Sequence, residues 1–418
     1  MLKRIPVNKV CLGMYVQELC GPWLDHPFWK TRFVIRDESD LAKLRSSKVG
    51  EIWIDTSKGL DVPAAAEPAP IIETVAAEPA EPAPSELGDH DGVRPPSVPL
   101  QAELARAVTI VNQARDTVSS LFNEARLGRA VDVESCLPLV DEIASSAWRN
   151  PGAIVSLARL KTHDQYTYMH SVAVCALMVA LARQLGMDEG QTREAGMSGL
   201  LHDMGKAAMP LDVLNKPGSL TDAEYMVMKS HPEAGHAMLM EGGAVGEMTL
   251  DVVLHHHERP DGRGYPHGLS GSALTRAARM GAVCDVYDAI TSNRPYKNAW
   301  DPAESLAKMA QWKGQFDPMV FQAFVKSLGI YPIGSLVSLK SGRLAVIVDQ
   351  GSGSLTMPLV KVFYSTKTRS PLRVELVDLS APGCDDAIAA RESREKWNLP
   401  QLDALWAGEE TLRQTGYL

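Results

Sequence analysis

Histidine is concentrated in one helical part of this sequence. Eight of its eleven histidines lie between residues 163 and 257. From about residue 130 to 328 the apolar residues recur with the period of an α-helix, in long runs separated by Gly and Pro. Residues 227–239 and 274–288 are two of the helices that this pattern predicts. The chain is therefore expected to fold around a mainly α domain that holds a cluster of imidazole side chains.

Two aspartates join the histidines in a definite order along this domain. His170 starts an apolar helix in YTYMHSVAV, LLHDMGK contains an adjacent His-Asp pair, KSHPEAGH and HHHE add further histidines, and VCDVYDA adds the second aspartate. Imidazole and carboxylate are the ligands expected for borderline and hard first-row metals, and the set contains no thiolate to select zinc or an iron–sulfur cluster. The candidate metal ligands are His170, His202, Asp203, His231, His256, His257 and Asp285.

The adjacent pair His202-Asp203 indicates a site for two ions. Neighbouring residues on a helix project about 100° apart, so Asp203 can bridge two ions while His202 holds one of them. Two ions about 3.5–4 Å apart lower the pKa of a shared water and stabilise both oxygens of an in-line displacement, as phosphodiester hydrolysis requires. A single histidine is more often a helix cap or a packed side chain. We expect His163, His236 and His267 to be structural or to support the ligands, whereas His255 either only extends the pair His256-His257 or is a further ligand.

Further polar residues suit a phosphate-bearing substrate. Lys206 lies three residues after Asp203, one turn along the same predicted helix, where it can point at a phosphate. Residues 258–266 form a Gly-rich loop whose backbone can approach a ligand closely, with Tyr265 available for stacking. Arg294 and Lys297 follow soon after, and an arginine suits phosphate or a guanine edge. Each of these charges, taken alone, would be an ordinary surface residue.

The pattern changes on both sides of this domain. Residues 1–61 alternate β-forming segments with turn residues and predict a small β-rich domain, whereas residues 62–100, rich in Pro, Ala and Glu, predict an extended linker. One apolar stripe over residues 101–128 predicts a connecting helix, which packs on the next domain, transmits a signal or pairs two subunits. Residues 129–328 form the helical domain, and residues 329–418 predict a small β appendage with a polar tail.

Composition limits the partners. The formal charge of −9 at pH 7 argues against a protein that grips nucleic acid polymers, but it allows a small anionic ligand in a metal-filled pocket. We find no signal-peptide core and no run of 18 apolar residues, so we expect no membrane insertion. The six cysteines are scattered without a CxxC pair, which favours a reduced, cytoplasmic compartment.

Five segments of the helical domain resemble the HD-GYP subgroup of HD-superfamily phosphohydrolases: YTYMHS, LLHDMGK, KSHPEAG, HHERPDGRGYP and DVYDAITSNRPYK. The resemblance covers about residues 150–325, and the first 60 residues are similar to the small domain that often precedes HD-GYP modules. It implies an HD-type helical bundle that hydrolyses cyclic di-GMP to pGpG, and often on to GMP, with iron or manganese as the usual metal. The seven candidate ligands match the metal ligands of the family, in which Asp203 would bridge the ions and orient the nucleophilic water. The implied substrate contacts are Lys206, Tyr265, Arg294 and Lys297.

One position departs from the family pattern. Some members have a Glu four residues before the first ligand histidine, where it helps to bind a third metal, but this chain has Tyr166 there. We therefore expect two ions. Asp164, nearby, either approaches the substrate or caps the helix.

Two other functions stay open from the sequence. One is a receptor that binds cyclic di-GMP without cleaving it, and the other is a metal-dependent phosphohydrolase of another cyclic dinucleotide. The N-terminal region has no receiver-like acidic cluster or haem motif. It is compatible with a homodimer contact or with a signalling partner.

Overall fold

The computed structural model describes residues 2–19, 33–35, 37–46, 51–60, 98–160, 166–243, 245–293, 299–350, 354–399 and 401–417. The chain divides into two compact units, residues 1–94 and 95–418. Residues 61–97, which include most of the linker predicted over residues 62–100, lie outside the described residues.

The first unit contains a small antiparallel sheet. Strands β1 (Leu2–Pro6), β2 (Tyr15–Leu19), β3 (Phe33–Val34) and β4 (Glu51–Asp55) are ordered β1-β4-β2-β3. Alternate residues of β4, Ile52 and Ile54, are fully buried, as the two-residue period of a strand requires when one face packs on a core. Leu41 and Leu44 of helix α1 (Glu38–Ser46) belong to the same core.

The second unit is a helical bundle built around one apolar helix. Helices α2 (Leu100–Arg126), α3 (Leu137–Arg149) and α4 (Pro151–Arg159) precede the central helix α5 (Tyr166–Gln184). Residues 169–182 of α5 are all buried, because a helix that is apolar on every side must be enclosed by others. The remaining helices of the bundle are α6 (Glu189–Leu201), α7 (Leu211–Leu214), α8 (Asp222–Met228), α9 (His231–Gly242), α10 (Glu247–His255), α11 (Arg276–Thr291), α12 (Pro302–Met309) and α13 (Pro318–Leu328).

Local sequence signals explain where several helices begin. Capping boxes start α6 at Asp188 and α8 at Thr221, where each side chain accepts a hydrogen bond from the third backbone N–H of its helix. The helix predicted over residues 227–239 is divided, since α8 ends at Met228 and α9 starts at His231. Pro232 accounts for this break, because proline fits the first turn of a helix but cannot donate a hydrogen bond inside one.

A second antiparallel sheet follows the bundle. Its strands β5 (Leu336–Leu339), β6 (Arg343–Asp349), β7 (Leu359–Ser365), β8 (Ser370–Asp378) and β9 (Ile388–Arg391) are ordered β8-β7-β6-β5-β9. Short helices α14 (Arg394–Trp397), α15 (Leu402–Ala407) and α16 (Glu409–Gln414) complete the described chain. Trp406 of α15 is completely buried, and α15 packs on β6.

The predicted fold class is confirmed: mainly α, with a small β-rich N-terminal part and a short β appendage after the bundle. The sequence did not predict β1, α1, β8 or β9. Most residues of β8 and β9 are exposed, so these strands lack the buried alternation by which a strand is recognised. Within the described residues, no helix combines the length and the apolar character needed to cross a bilayer.

Candidate metal centre

Helix ends bring the predicted ligands together. Helix α6 ends one residue before His202, and Asp203 leads into a 3-10 helix, Met204–Ala208, that packs on α9. Gly205 makes this packing close: a Cβ at that position would lie 1.8 Å from the carbonyl oxygen of His231. Only glycine leaves room for that approach, and the approach sets Asp203 beside His231. The helix predicted to continue through Lys206 therefore ends earlier, and Lys206 lies in the 3-10 turn.

All seven predicted ligands lie in two adjoining groups. Each group places its ligand atoms within 4.8 Å of one another. The first group is Asp203, His231, His256 and His257, and the second is His170, His202 and Asp285.

The two aspartates face both groups. Oδ2 of Asp203 lies 3.4 Å from Nε2 of His202, and its Oδ1 lies 3.3 Å from Nε2 of His231. Oδ1 of Asp285 lies 3.0 Å from Nε2 of His170, while its Oδ2 lies 3.7 Å from Nδ1 of His257. Each carboxylate thus presents one oxygen to each group, which is the geometry of a bridging ligand.

Hydrogen bonds fix the imidazole atoms that face the centre. Nδ1 of His202 donates to the carbonyl of Gly199 at 2.8 Å, and Nδ1 of His231 donates to the carbonyl of Met228 at 2.7 Å. Nδ1 of His256 lies 3.1 Å from the carbonyl oxygens of both Val252 and Val253. A carbonyl only accepts hydrogen bonds, so the proton of each neutral ring is on Nδ1. Each Nε2 therefore directs a lone pair at the centre, as metal-binding histidines do.

The facing lone pairs require a cation between them. Nε2 of His231 and Nε2 of His256, both without a proton, are 3.4 Å apart. Oδ1 of Asp203 is buried and accepts no hydrogen bond from any described residue. Acceptors crowded together without protons repel one another, so the residues present fit bound metal ions well.

The electrostatics keep the ligand atoms in metal-binding form. Burial lowers the pKa of His257 to about 3, and burial with the neighbouring imidazoles holds the pKa of His256 well below its usual value. Burial raises the pKa of Asp203, but the Lys206 ammonium and His202 outweigh it, and the pKa lies well below its usual range. Burial also raises the pKa of Asp285, but the hydrogen bond from His170 and the nearby imidazoles outweigh it, and the pKa lies well below the ordinary value. Both aspartates are thus ionised and both histidines neutral near pH 7.

Asp288 is a functional candidate that the sequence reading missed. Its Oδ2 lies 2.6 Å from Nδ1 of His170, and the Ser292 hydroxyl donates to its Oδ1 at 3.2 Å. Asp288 is buried, one helical turn after Asp285 on α11. The three-residue spacing of the two aspartates within VCDVYDA places them on the same face of a helix, and this spacing could have indicated Asp288. The carboxylate orients the His170 ring and makes it a stronger ligand.

The loop after His257 places an aromatic ring against the centre. The rings of Tyr265 and His257 stack with centroids 4.6 Å apart. Buried Glu258 holds the loop by accepting backbone N–H bonds from His267 and Leu269, at 2.6 and 3.0 Å. The close backbone approach expected for a ligand is instead made within the loop, because a Cβ on Gly264 would lie 2.4 Å from Cα of Glu258.

Among the predicted substrate contacts, Lys206 and Tyr265 lie at the centre. Nζ of Lys206 is 2.5 Å from Oδ2 of Asp203. Arg294 and Lys297 lie outside the described residues, as do Asp164, His163 and the side chain of Tyr166. His236, His255 and His267 belong to neither ligand group. His255 instead bonds Asp251 at 2.8 Å and lies 3.3 Å from His267.

Two family models match separate parts of the chain. Residues 2–136 match a family described as a domain of unknown function, DUF3391. Residues 153–320 match the HD domain family. All seven candidate ligands lie within the second match.

Curated relatives are similar over different lengths of the chain. The chain is 51% identical over 409 residues to a cyclic di-GMP phosphodiesterase of Pseudomonas aeruginosa, covering 98% of this chain and 96% of that protein. It is 45% identical over 148 residues to the cyclic di-GMP phosphodiesterase response regulator of Xanthomonas campestris pv. campestris, covering 35% of this chain and 39% of that protein. It is also 33% identical over 182 residues to 3'3'-cGAMP-specific phosphodiesterase 1 of Vibrio cholerae, covering 42% of each protein.

Proposed function

The chain belongs to the HD-GYP family of HD-domain cyclic di-GMP phosphodiesterases, and we propose that it hydrolyses a phosphodiester bond of cyclic di-GMP at the two adjoining ligand groups. It is a metal-dependent hydrolase. The observation that carries the two-ion assignment is that Asp203 and Asp285 each present one oxygen to each group.

Two divalent ions are the proposed complement, with iron or manganese as the preferred metals. His170, His202 and one oxygen of each aspartate would hold one ion, and His231, His256, His257 and the other two oxygens would hold the second. Nitrogen and oxygen donors without thiolate suit these metals. Tyr166 supplies no carboxylate for a third ion.

When bound, the ions supply an activated water and stabilise the charge on the leaving oxygen. The protein residues orient the reactants. Asp203 is the proposed acceptor that aligns the water, and Lys206, only a quarter exposed, has its ammonium beside that carboxylate. From there Lys206 can donate to a nonbridging phosphoryl oxygen and offset its negative charge. The ring of Tyr265 stacks on His257, and we propose that Tyr265 contacts the substrate from there. Arg294 and Lys297 are proposed as further substrate contacts.

The sequence predicts five parts along the chain, of which α2 corresponds to the connecting helix. We propose that a signal received by the N-terminal region reaches the metal centre through α2. Arg126, the last residue of α2, donates to the carbonyl of Lys206 at 3.3 Å. Phe122 of α2 contacts the ring of Tyr168, two residues before His170, with centroids 5.7 Å apart. A shift of α2 would therefore reach both ligand groups. We propose that a signalling partner, or a second copy of the chain, acts on the N-terminal region.

Product analysis tests the proposed reaction. Full-length protein, purified without oxygen and loaded with manganese or iron, is expected to convert cyclic di-GMP to pGpG, and the time course shows whether GMP follows. Asp203→Asn removes one bridging oxygen and should abolish turnover, while Asp212→Asn, at an exposed position of α7, should not.

The alternatives have distinct outcomes in the same assay. Tight binding of cyclic di-GMP without product would identify a receptor, and faster hydrolysis of 3'3'-cGAMP would identify a different substrate. Full turnover by Asp203→Asn would refute the bridging role.

A further inference from the structure

Lys229 is a positively charged residue near the metal centre, and neither the predicted ligand set nor the predicted substrate contacts include it. It follows α8 and lies two residues before His231. Its backbone N–H bonds the carbonyl of Tyr225 at 2.9 Å, and the carbonyl of the preceding residue, Met228, holds the ring of His231. The backbone of Lys229 is thus fixed to the same turn that positions a candidate ligand.

Two aromatic rings contact the Lys229 ammonium near the centre. Its Nζ lies 4.9 Å from the centroid of the Tyr265 ring and 5.7 Å from that of Tyr225. Because Tyr265 stacks on His257 at 4.6 Å, Nζ lies within about 9.5 Å of the His257 ring centroid. Cation–π contacts place an ammonium without neutralising its charge.

The charge of Lys229 is not balanced by a carboxylate. No described Asp or Glu is within ion-pair distance of its Nζ, although Lys206 is paired with Asp203 and Lys216 with Glu224. The side chain is also partly buried. A half-buried lysine beside two rings, with no acidic partner, suits an anionic ligand.

Cyclic di-GMP has two phosphodiester groups, and the proposed reaction places one of them at the two ligand groups and Lys206. We propose that Lys229 binds the second, uncleaved phosphate of the substrate, so that this side of the centre recognises a ligand with two phosphates. This inference rests on the proposed function and adds a specificity-determining residue to it. Tyr225, 50% exposed, and Tyr265 flank the ammonium, and the side chain of Lys229 is itself partly exposed.

Two substrates separate a phosphate contact from a structural role. Cyclic di-GMP has two phosphodiesters, whereas bis(p-nitrophenyl) phosphate has one. Lys229→Gln in the metal-loaded, full-length protein should raise KM for cyclic di-GMP about tenfold, the loss typical of one charge-assisted hydrogen bond. The kcat for cyclic di-GMP, and both constants for bis(p-nitrophenyl) phosphate, should change less than about twofold. Lys229→Arg keeps the charge and should restore most of the affinity.

The matched control is Lys396→Gln. Lys396 also lies over an aromatic ring, 5.2 Å from that of Trp397, but it belongs to helix α14, which follows the second sheet. This variant should keep wild-type constants for both substrates. Equilibrium binding of cyclic di-GMP to metal-free protein gives a readout without turnover, and Lys229→Gln should weaken it about tenfold.

An unchanged KM for cyclic di-GMP, or equal losses on both substrates, would overturn the role of Lys229. Wild-type protein that cleaves only bis(p-nitrophenyl) phosphate would instead refute the proposed function. In that case the binding of cyclic di-GMP to Lys229→Gln would still test the role of Lys229. If wild-type protein neither binds nor cleaves cyclic di-GMP, both proposals fail.

Discussion

The substitution Asp288→Asn should selectively lower the affinity for one of the two proposed metal ions. The substitution keeps the shape of the side chain but removes the charge that faces Nδ1 of His170 at 2.6 Å. A neutral amide accepts a weaker hydrogen bond than a carboxylate. The His170 ring then becomes a poorer ligand, and its orientation is less fixed.

The expected magnitude follows from the contact. Partners that orient a metal-binding histidine contribute about 10–100-fold to metal affinity. The bond to Asp288 is short, charge-assisted and fully buried, so we expect a loss of about 30-fold, equivalent to about 2 kcal/mol. The loss should fall on the ion at His170, His202 and Asp285. The ion at His231, His256 and His257 should keep its affinity within about threefold.

Manganese titration against a chromophoric chelator measures both affinities. Asp251→Asn is the matched control, because Asp251 makes a similar bond of 2.8 Å to His255, which belongs to neither ligand group. That variant should bind manganese like the wild type. The reasoning would be refuted if Asp288→Asn lowered the affinity for both ions equally, or if Asp251→Asn lowered a manganese affinity by a similar factor.

Three further perturbations test the packing and the charges. Gly205→Ala forces a methyl group against the carbonyl of His231 and should cost about 1–3 kcal/mol of unfolding free energy, measured in urea, with loss of bound metal. Glu103→Ala leaves Arg149 without its buried partner, to which it donates at 2.7 and 2.8 Å. Because the guanidinium keeps contact with solvent, the free energy of unfolding should fall by about 1.5–3 kcal/mol in the same urea measurement. Burial lowers the pKa of His170, but Asp285 and Asp288 raise it more, to above the usual value. Protons should therefore displace the ion at His170 first as the pH falls, which manganese titrations at several pH values would show.

Each of these predictions has an internal check. Gly190→Ala, in α6, meets only an ordinary contact at 3.4 Å and should be neutral or slightly stabilising. Glu409→Ala removes an exposed ion pair with Arg413 and should lower the free energy of unfolding by less than about 1 kcal/mol. In metal-free protein the protonated His170 contributes stability that is complete below the ordinary histidine pKa and is lost as the pH rises through the raised one. The opposite pH trend for either metal affinity or apo stability would contradict the charge argument.

Much of the candidate site could be predicted because its parts are local. Each motif supplies one or two candidate ligands within a few residues, so residue type and order were enough to propose the seven residues that the structure brings into two groups. Asp288 was missed because an aspartate one turn from a ligand is common, and only contact with His170 distinguishes it. Strands β8 and β9 were missed because their exposed residues carry no burial period.

The sequence by itself determined the cluster of histidines and aspartates and the helical domain that carries it. It did not determine which ligands share an ion, because that depends on where helix ends meet. The close contact of Gly205 with His231 decides that Asp203 faces both groups. The side of each ring that holds its proton depends on nearby carbonyls such as Gly199 and Met228. Helix ends leave such carbonyls free, and only the folded chain shows which imidazole reaches each one.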